Sequence, residues 1–205
     1  IKESEAVQSL VNFSPDIIVV IAYGQILPKS ILDIPKIACI NLHASLLPYH
    51  RGAAPIQASI LAGDVSTGVT VMYVGEGLDD GDILFSIKLD IMDDETGGSL
   101  HERLGKLGPD ALLHSLELLS SGSAPREKQD NGLATHITKI KRSDGKINWS
   151  NSAHHIDRLV RAYDPWPGTF TFFPERSNIK IFPPVEIVEY EGSDHGKIID
   201  LDSNG

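Results

Sequence analysis

IIVVIAYGQILPKSILDIPKIACINLHASLLP, residues 17–48, decides the reading of the fold. Residues 17–22, Ile-Ile-Val-Val-Ile-Ala, form a run dominated by β-branched side chains. Such a run suits a strand buried on both faces, as in a parallel sheet. Tyr23 and Gly24 follow as a loop, and Pro28 can open a short helix through Leu32. Residues 37–42 read as a second buried strand. Two strands joined by a helical crossover make a βαβ unit, so the first half reads as α/β.

Outward from this unit, residues 6–13 have a weak helical period that Ser14-Pro15-Asp16 breaks. Residues 53–61 fit a helix, with Pro55 in its first turn and Gly63 just past its end. Residues 69–74 and 83–89 read as strands, separated by the Gly- and Asp-rich loop 75–82. Leu100, Leu104, Leu107, Ala111 and Leu112 recur at helical spacing and continue to Leu119. Pro109 is expected to kink this run or divide it in two. Residues 121–132 are polar, contain Pro125 and read as a linker. Beyond them, 153–161 is a short amphipathic helix stopped by Asp164-Pro165. Short β-rich runs follow at 169–173, 179–182, 185–190 and 197–201, the pattern that opens a small β-barrel. The chain therefore divides near residue 135 into two units, 1–134 and 135–205. It opens at Ile1 without an initiator methionine and stops just after a strand-like run, so both ends read as interior to a longer chain.

Hydrophobic residues make up 41% and charged residues 22%, the balance of a globular protein rather than a disordered one. No stretch approaches the roughly 20 apolar residues of a membrane helix. A single cysteine, Cys39, excludes an internal disulfide framework and points to a reducing compartment. The net charge of −10 argues by itself against nucleic acid as a partner. The charge is uneven, however. Between residues 136 and 162, Lys139, Lys141, Arg142, Lys146, Arg158 and Arg161 face only Asp144 and Asp157. An acidic body with a basic stretch could accept RNA on one face, although charge alone favours a plain solvated helix and loop.

The densest chemical constellation is Asn41-Leu42-His43-Ala44-Ser45-Leu46-Leu47-Pro48, followed by Arg51-Gly52. Period-two alternation sends Asn41 and His43 to one face at a strand end. In open α/β sheets the carboxyl ends of strands line the ligand crevice. An amide and an imidazole there can hold a carbonyl oxygen and the negative charge developing on it. The bland alternative is a polar strand end whose histidine bonds only to backbone. The loop that could supply a third group to set the histidine's protonation is 75–82, with Asp79, Asp80 and Asp82. Its order lacks calcium-loop spacing, so metal ligation is not expected. A Gly-x-Gly-x-x-Gly motif and a phosphate-loop lysine are absent, and Ser45 has no nucleophile-elbow context. Cys39 reads as core, because no basic neighbour is visible to lower its pKa. His154, His155, Trp149 and Trp166 read as surface or packing residues.

Asn41-x-His43-x-Ser45-Leu46-Leu47-Pro48, followed by Gly77-Leu78-Asp79-x-Gly81-Asp82-Ile83, resembles the folate-dependent formyltransferase family. Three further blocks resemble its tRNA-acting branch: Arg51-Gly52-Ala53-Ala54-Pro55-Ile56-Gln57, Thr67-Gly68-Val69-Thr70-Val71-Met72, and Arg161-Ala162-Tyr163-Asp164-Pro165-Trp166-Pro167-Gly168. The resemblance covers essentially the whole chain. It implies a Rossmann-like α/β formyltransferase domain, lacking its amino-terminal part, followed by the start of a small OB-like β-barrel domain. It implies formyl transfer from 10-formyltetrahydrofolate, a co-substrate, to the amine of methionyl initiator tRNA, without a metal and without a covalent enzyme intermediate. Asn41 would donate to the formyl oxygen and His43, as imidazolium, would stabilise the oxyanion. Asp79 would keep His43 charged and share in proton transfer. Gln25, Ile26 and Leu27, with Gly75, Gly77 and Leu78, would border the folate, and Ser45, Leu46, Leu47 and Pro48 would line the same pocket. The implied partners are tRNA and folate, not DNA or membrane. The implied protein is a monomer of the bacterial cytoplasm or of a mitochondrion or plastid. Competing readings keep the chemistry with a sugar-nucleotide amine or water as acceptor, as in the family's hydrolase and dehydrogenase domains, or make the chain a non-catalytic folate- or RNA-binding fragment.

Overall fold

The computed structural model describes residues 4–172, 178–189, 192 and 195–199. Helix α1 (Ser4–Phe13) leads into strand β1 (Ile17–Ile21), the short helix α2 (Lys29–Leu32) and strand β2 (Ala38–His43). A two-residue strand, β3 (Arg51–Gly52), precedes helix α3 (Pro55–Ala62). Strands β4 (Ser66–Tyr73) and β5 (Ile83–Asp90), the long helix α4 (Gly97–Ser120) and strand β6 (His136–Ile137) follow. Helix α5 (Ala153–Ala162) and strands β7 (Thr169–Thr171) and β8 (Ile179–Ile181) come last.

The main sheet has the order β1-β2-β4-β5 and is mixed. The β1-α2-β2 unit is parallel, as the β-branched runs predicted, with Ile17 opposite Ala38 and Ile21 opposite Leu42. The β2–β4 and β4–β5 pairs are antiparallel. Strand β4 carries the centre of the core. Val69 and Val71 are at most 2% exposed there, and Ile40, Leu100, Leu104 and Ala111 pack into the same apolar mass. Among the described residues β1 is the outermost strand, and its Val19 (41% exposed) and Ile21 (55%) are open. Its inner residues Ile18 and Val20 instead pack on Leu27, Ile31 and Cys39.

Pro109 neither kinks nor divides its helix: α4 runs unbroken from Gly97 to Ser120. A proline in a helix interior removes one backbone bond, to the carbonyl of Gly105, and crowds that carbonyl. Leu100, Leu104, Ala111 and Leu119, on both sides of the proline, are anchored in the core, so packing outweighs the local cost. The helix start is capped by Thr96, whose hydroxyl accepts from the Ser99 amide at 3.1 Å.

The main core does not stop at the linker. Ile140, Ile147, Leu159, Val160, Ala162 and Tyr163 join the cluster built by the first half. Glu95, buried just before α4, pairs with Arg103, and the Glu95 carbonyl accepts from Arg161 Nη1 of α5 at 3.0 Å. Strands β7 and β8 pair antiparallel, with Thr169 opposite Ile181. They are shorter than the runs 169–173 and 179–182 suggested. The described residues of the expected strands at 185–190 and 197–201 carry no strand, and Phe173, Tyr190, Asp200 and Leu201 lie outside the described residues.

Candidate active site

Strand β2 ends at the rim of a cleft of about 860 Å³, the size of a small-molecule site. Asn41 and His43, two residues apart on β2, both line it. Cys39 shares their parity but lies one step deeper, against Leu27 and Ile31, where burial pushes its thiol up to about 11. A thiol so placed is inert at neutral pH.

His43 is only 6% exposed. Its Nε2 lies 3.0 Å from the carbonyl oxygen of His50. Its Nδ1 lies 3.6 Å from Oδ2 of Asp79, which also lines the cleft. Two acceptors thus flank one ring. A neutral imidazole can donate to one of them only, and would aim a lone pair at the other. The flanking oxygens favour the doubly protonated ring. Burial opposes them and dominates, so His43 sits below the ordinary histidine pKa, with the Asp79 carboxylate and the His50 carbonyl pulling it upward. Negative charge appearing beside it would add to the upward pull of Asp79.

Asp79 is held from several directions. Its backbone is left-handed, with φ of 49°. Its Oδ2 accepts from the Gly52 amide at 2.8 Å. The Gln129 side-chain amide donates to the carbonyl oxygens of Asp79 (2.9 Å) and Gly81 (2.7 Å). Gln129 Oε1 in turn accepts from Arg51 Nε (3.0 Å) and Nη2 (2.8 Å). The segment that read as a linker therefore fastens the site. Arg51 and Gly52 are strand β3, paired in parallel with His136 and Ile137 of β6.

Of the other residues singled out in the sequence, Gln25, Ile26 and Leu27 line one side of the cleft, and Gly75, Gly77 and Leu78 line another. Ile26 (63% exposed) and Leu78 (49%) present apolar side chains at its mouth. Ser45, Leu46, Leu47 and Pro48 are not part of the lining. Their segment turns inward: Ser45 Oγ donates to the Tyr49 carbonyl (2.6 Å), and fully buried Thr70 donates to the Ser45 carbonyl (2.7 Å). The Thr70 hydroxyl also accepts from the Leu47 amide at 3.2 Å. These residues shape the turn that brings the His50 carbonyl to His43.

Sequence reasoning missed this carbonyl, the Gly52 amide, Gln129, and the α4 wall formed by His101, Gly105 and Pro109. Only Pro109, set against the helical period, carried a visible signal. Among the described residues no group of three His, Cys, Asp or Glu side chains could hold a metal ion.

The chain matches the family model described as "Formyl transferase" over residues 1–116 and "Formyl transferase, C-terminal domain" over 139–205. It is 44% identical to methionyl-tRNA formyltransferase of Akkermansia muciniphila, covering 100% of this chain and 67% of that protein. It is 47% identical to methionyl-tRNA formyltransferase of Marinobacter nauticus, covering 96% and 62%. Among solved structures, HypX from Aquifex aeolicus in complex with tetrahydrofolic acid superposes with a TM-score of 0.68 at 20% identity. That match covers 80% of this chain and 28% of that one. The chain thus spans about three fifths to two thirds of the length of these curated relatives.

Proposed function

The chain belongs to the formyl transferase family, and from that membership we propose that it carries the catalytic site of an enzyme that formylates methionyl initiator tRNA, with 10-formyltetrahydrofolate as donor. The observation that carries this reading is that Asn41, His43 and Asp79 all line one cleft of ligand size, with the His43 ring 3.6 Å from the Asp79 carboxylate. The names of the relatives support the acceptor, and the folate complex of HypX supports the donor.

Asn41 donates its amide N–H to the formyl oxygen and orients the carbonyl carbon toward the attacking amine. As the amine nitrogen bonds to that carbon, the oxygen becomes an oxyanion between Asn41 and His43. Fixed donors at a developing charge act without reorganisation, and removing one costs about 10²–10³ in rate. The oxyanion together with Asp79 stabilises the imidazolium of His43. Asp79, held by the Gly52 amide, keeps the ring oriented and relays the proton lost by the amine. The carbon–nitrogen bond to the folate then breaks, and that proton ends on the departing folate nitrogen.

The folate lies along Gln25, Ile26 and Leu27 on one side and Gly75, Gly77 and Leu78 on the other, where loop backbone can read a flat amide-rich ring. Residues 1–134 form the catalytic unit. Residues 135–205 begin an OB-like barrel, of which β7 and β8 are the first strands. Lys139, Lys141, Arg142 and Arg158 present positive charge to the tRNA backbone. The deciding assay supplies the full-length protein with 10-formyltetrahydrofolate and methionyl initiator tRNA. Formyl-methionyl-tRNA is the expected product. No product with this acceptor, alongside transfer to a sugar-nucleotide amine or to water, overturns the acceptor assignment.

A further inference from the structure

Arg51 is 4% exposed and yet faces no carboxylate among the described residues. Its guanidinium donates to two amide oxygens, Oε1 of Gln129 through Nε and Nη2, and Oδ1 of Asn131 at 2.9 Å. A buried cation is ordinarily satisfied by an acid. An acid at position 129 would serve Arg51 better, but it could not do what Gln129 does at its other end. There the amide nitrogen spends both hydrogens on main-chain oxygens, those of Asp79 and Gly81. Only a primary amide accepts from a guanidinium on one side and donates twice on the other.

Those two carbonyls belong to the loop whose Asp79 is left-handed at φ 49°, a conformation that costs free energy in a residue with a Cβ and persists only when its surroundings fix it. The circuit closes through the chain itself. Gly52, next to Arg51, gives its amide to the Asp79 carboxylate, and Arg51 is tied by its own amide to the Thr135 carbonyl at 2.8 Å. Carboxylate and backbone of Asp79 are thus held by one assembly, built from β3 and the segment 129–137.

We propose that Gln129, oriented by the buried Arg51, is a positioning residue for formyl transfer: it sets the backbone of Asp79 so that its carboxylate meets His43. This inference rests on the transfer reaction proposed above. It assigns a role to a residue far from the strand-end motif, in the stretch between the two family-model matches.

Two variants of the full-length protein test it. Gln129→Glu keeps an acceptor for Arg51 but turns the nitrogen that donates twice into one carboxylate oxygen, which repels the Asp79 and Gly81 carbonyls. Gln129→Met, neutral and of similar length, removes both functions. The clamp predicts that kcat falls about 10- to 10²-fold in both, as misplacement of a reacting group by an ångström does, with KM for the formyl donor unchanged. If Gln129 served only to satisfy Arg51, Gln129→Glu would be near normal, and that result overturns the proposal.

A second measurement needs no transfer activity: the NMR titration of the His43 ring, whose charged and titrating neighbours are Asp79 and His50. In Gln129→Met the curve should move toward that of Asp79→Asn. A curve coincident with the unmodified protein overturns the clamp. Absence of formyl transfer by the unmodified protein counts against the proposed function only, and the titration then decides the clamp alone. Should Gln129→Met not fold, Gln129→Glu decides it by rate.

Discussion

Replacing Gly52 by alanine adds one methyl group at the point where β3, β6 and Asp79 meet. Gly52 has φ of 118°, a region that residues with a side chain rarely adopt, and strain there costs about 1–3 kcal/mol. The added Cβ would also overlap the Ile137 carbonyl oxygen, a backbone atom held in the β3–β6 pairing and unable to swing away. Overpacking of this kind costs a further ~1–3 kcal/mol. A middle value of about 4 kcal/mol lowers Tm by roughly 8–16 °C in a chain of this size. Relief by backbone shift would draw the Gly52 amide from the Asp79 carboxylate, now 2.8 Å away, so kcat should fall by about 10-fold or more even well below Tm. The assay pairs a thermal melt with initial rates of formyl transfer at 25 °C. Gly105→Ala is the control for stability: nothing lies within 4 Å of its Cβ position, and alanine is the better helix former by ~0.8–1.0 kcal/mol. If Gly52→Ala melted with the unmodified protein and kept its rate, the coupling of β3 to Asp79 would be wrong.

Asn41→Ala should lower kcat by about 10²–10³-fold with little change in thermal stability, because a fixed oxyanion donor is lost from the cleft rim; steady-state kinetics near the unmodified rate would rule out that role. Asp79→Asn removes the carboxylate that raises His43. The imidazolium then persists only to lower pH, so the alkaline limb of kcat/KM should move toward acid, and an unmoved limb in the pH–rate profile would exclude His43 as the group titrating there. His43 also links stability to pH. Its folded pKa lies below the ordinary 6.5, so the unfolded chain takes up the proton first as pH falls. The His43 contribution should be intact above about pH 6.5 and decline below it, down to the folded pKa. Denaturant titrations of the unmodified protein and His43→Gln at several pH values should diverge in that window and run parallel above it.

The elements legible in the sequence were those whose period is set by one dominant burial. The run 17–22 and the apolar stretch before Asn41 gave β1 and β2, and leucines at helical spacing gave α4. Asn41 and His43 share the cleft because alternation along a strand is a property of the backbone. One reading failed, and one strand pair left no trace in the sequence. Pro109 looked like a break because propensity is local, whereas the anchoring of Leu104 and Ala111 in the core is not. The strand pair β3–β6 had no signal at all: two residues on each side are too few to show a period.

The same limit explains why the site was half legible. The pair Asn41 and His43 is covalently close, and its geometry follows from strand form alone. What tunes the pair comes from elsewhere in the chain. The His50 carbonyl reaches His43 through a turn pinned by Thr70 on β4. Asp79 reaches it from the loop between β4 and β5, and that loop is held by Gln129 from beyond α4. A polar run with one proline, 121–132, carries the composition of a spacer, and composition was the only ground for calling it one. Its role comes from contacts such as the Gln129 amide aimed at two carbonyls, which depend on where the strands place both partners. At 129 an isosteric acid, of the same length and still paired with Arg51, should fail.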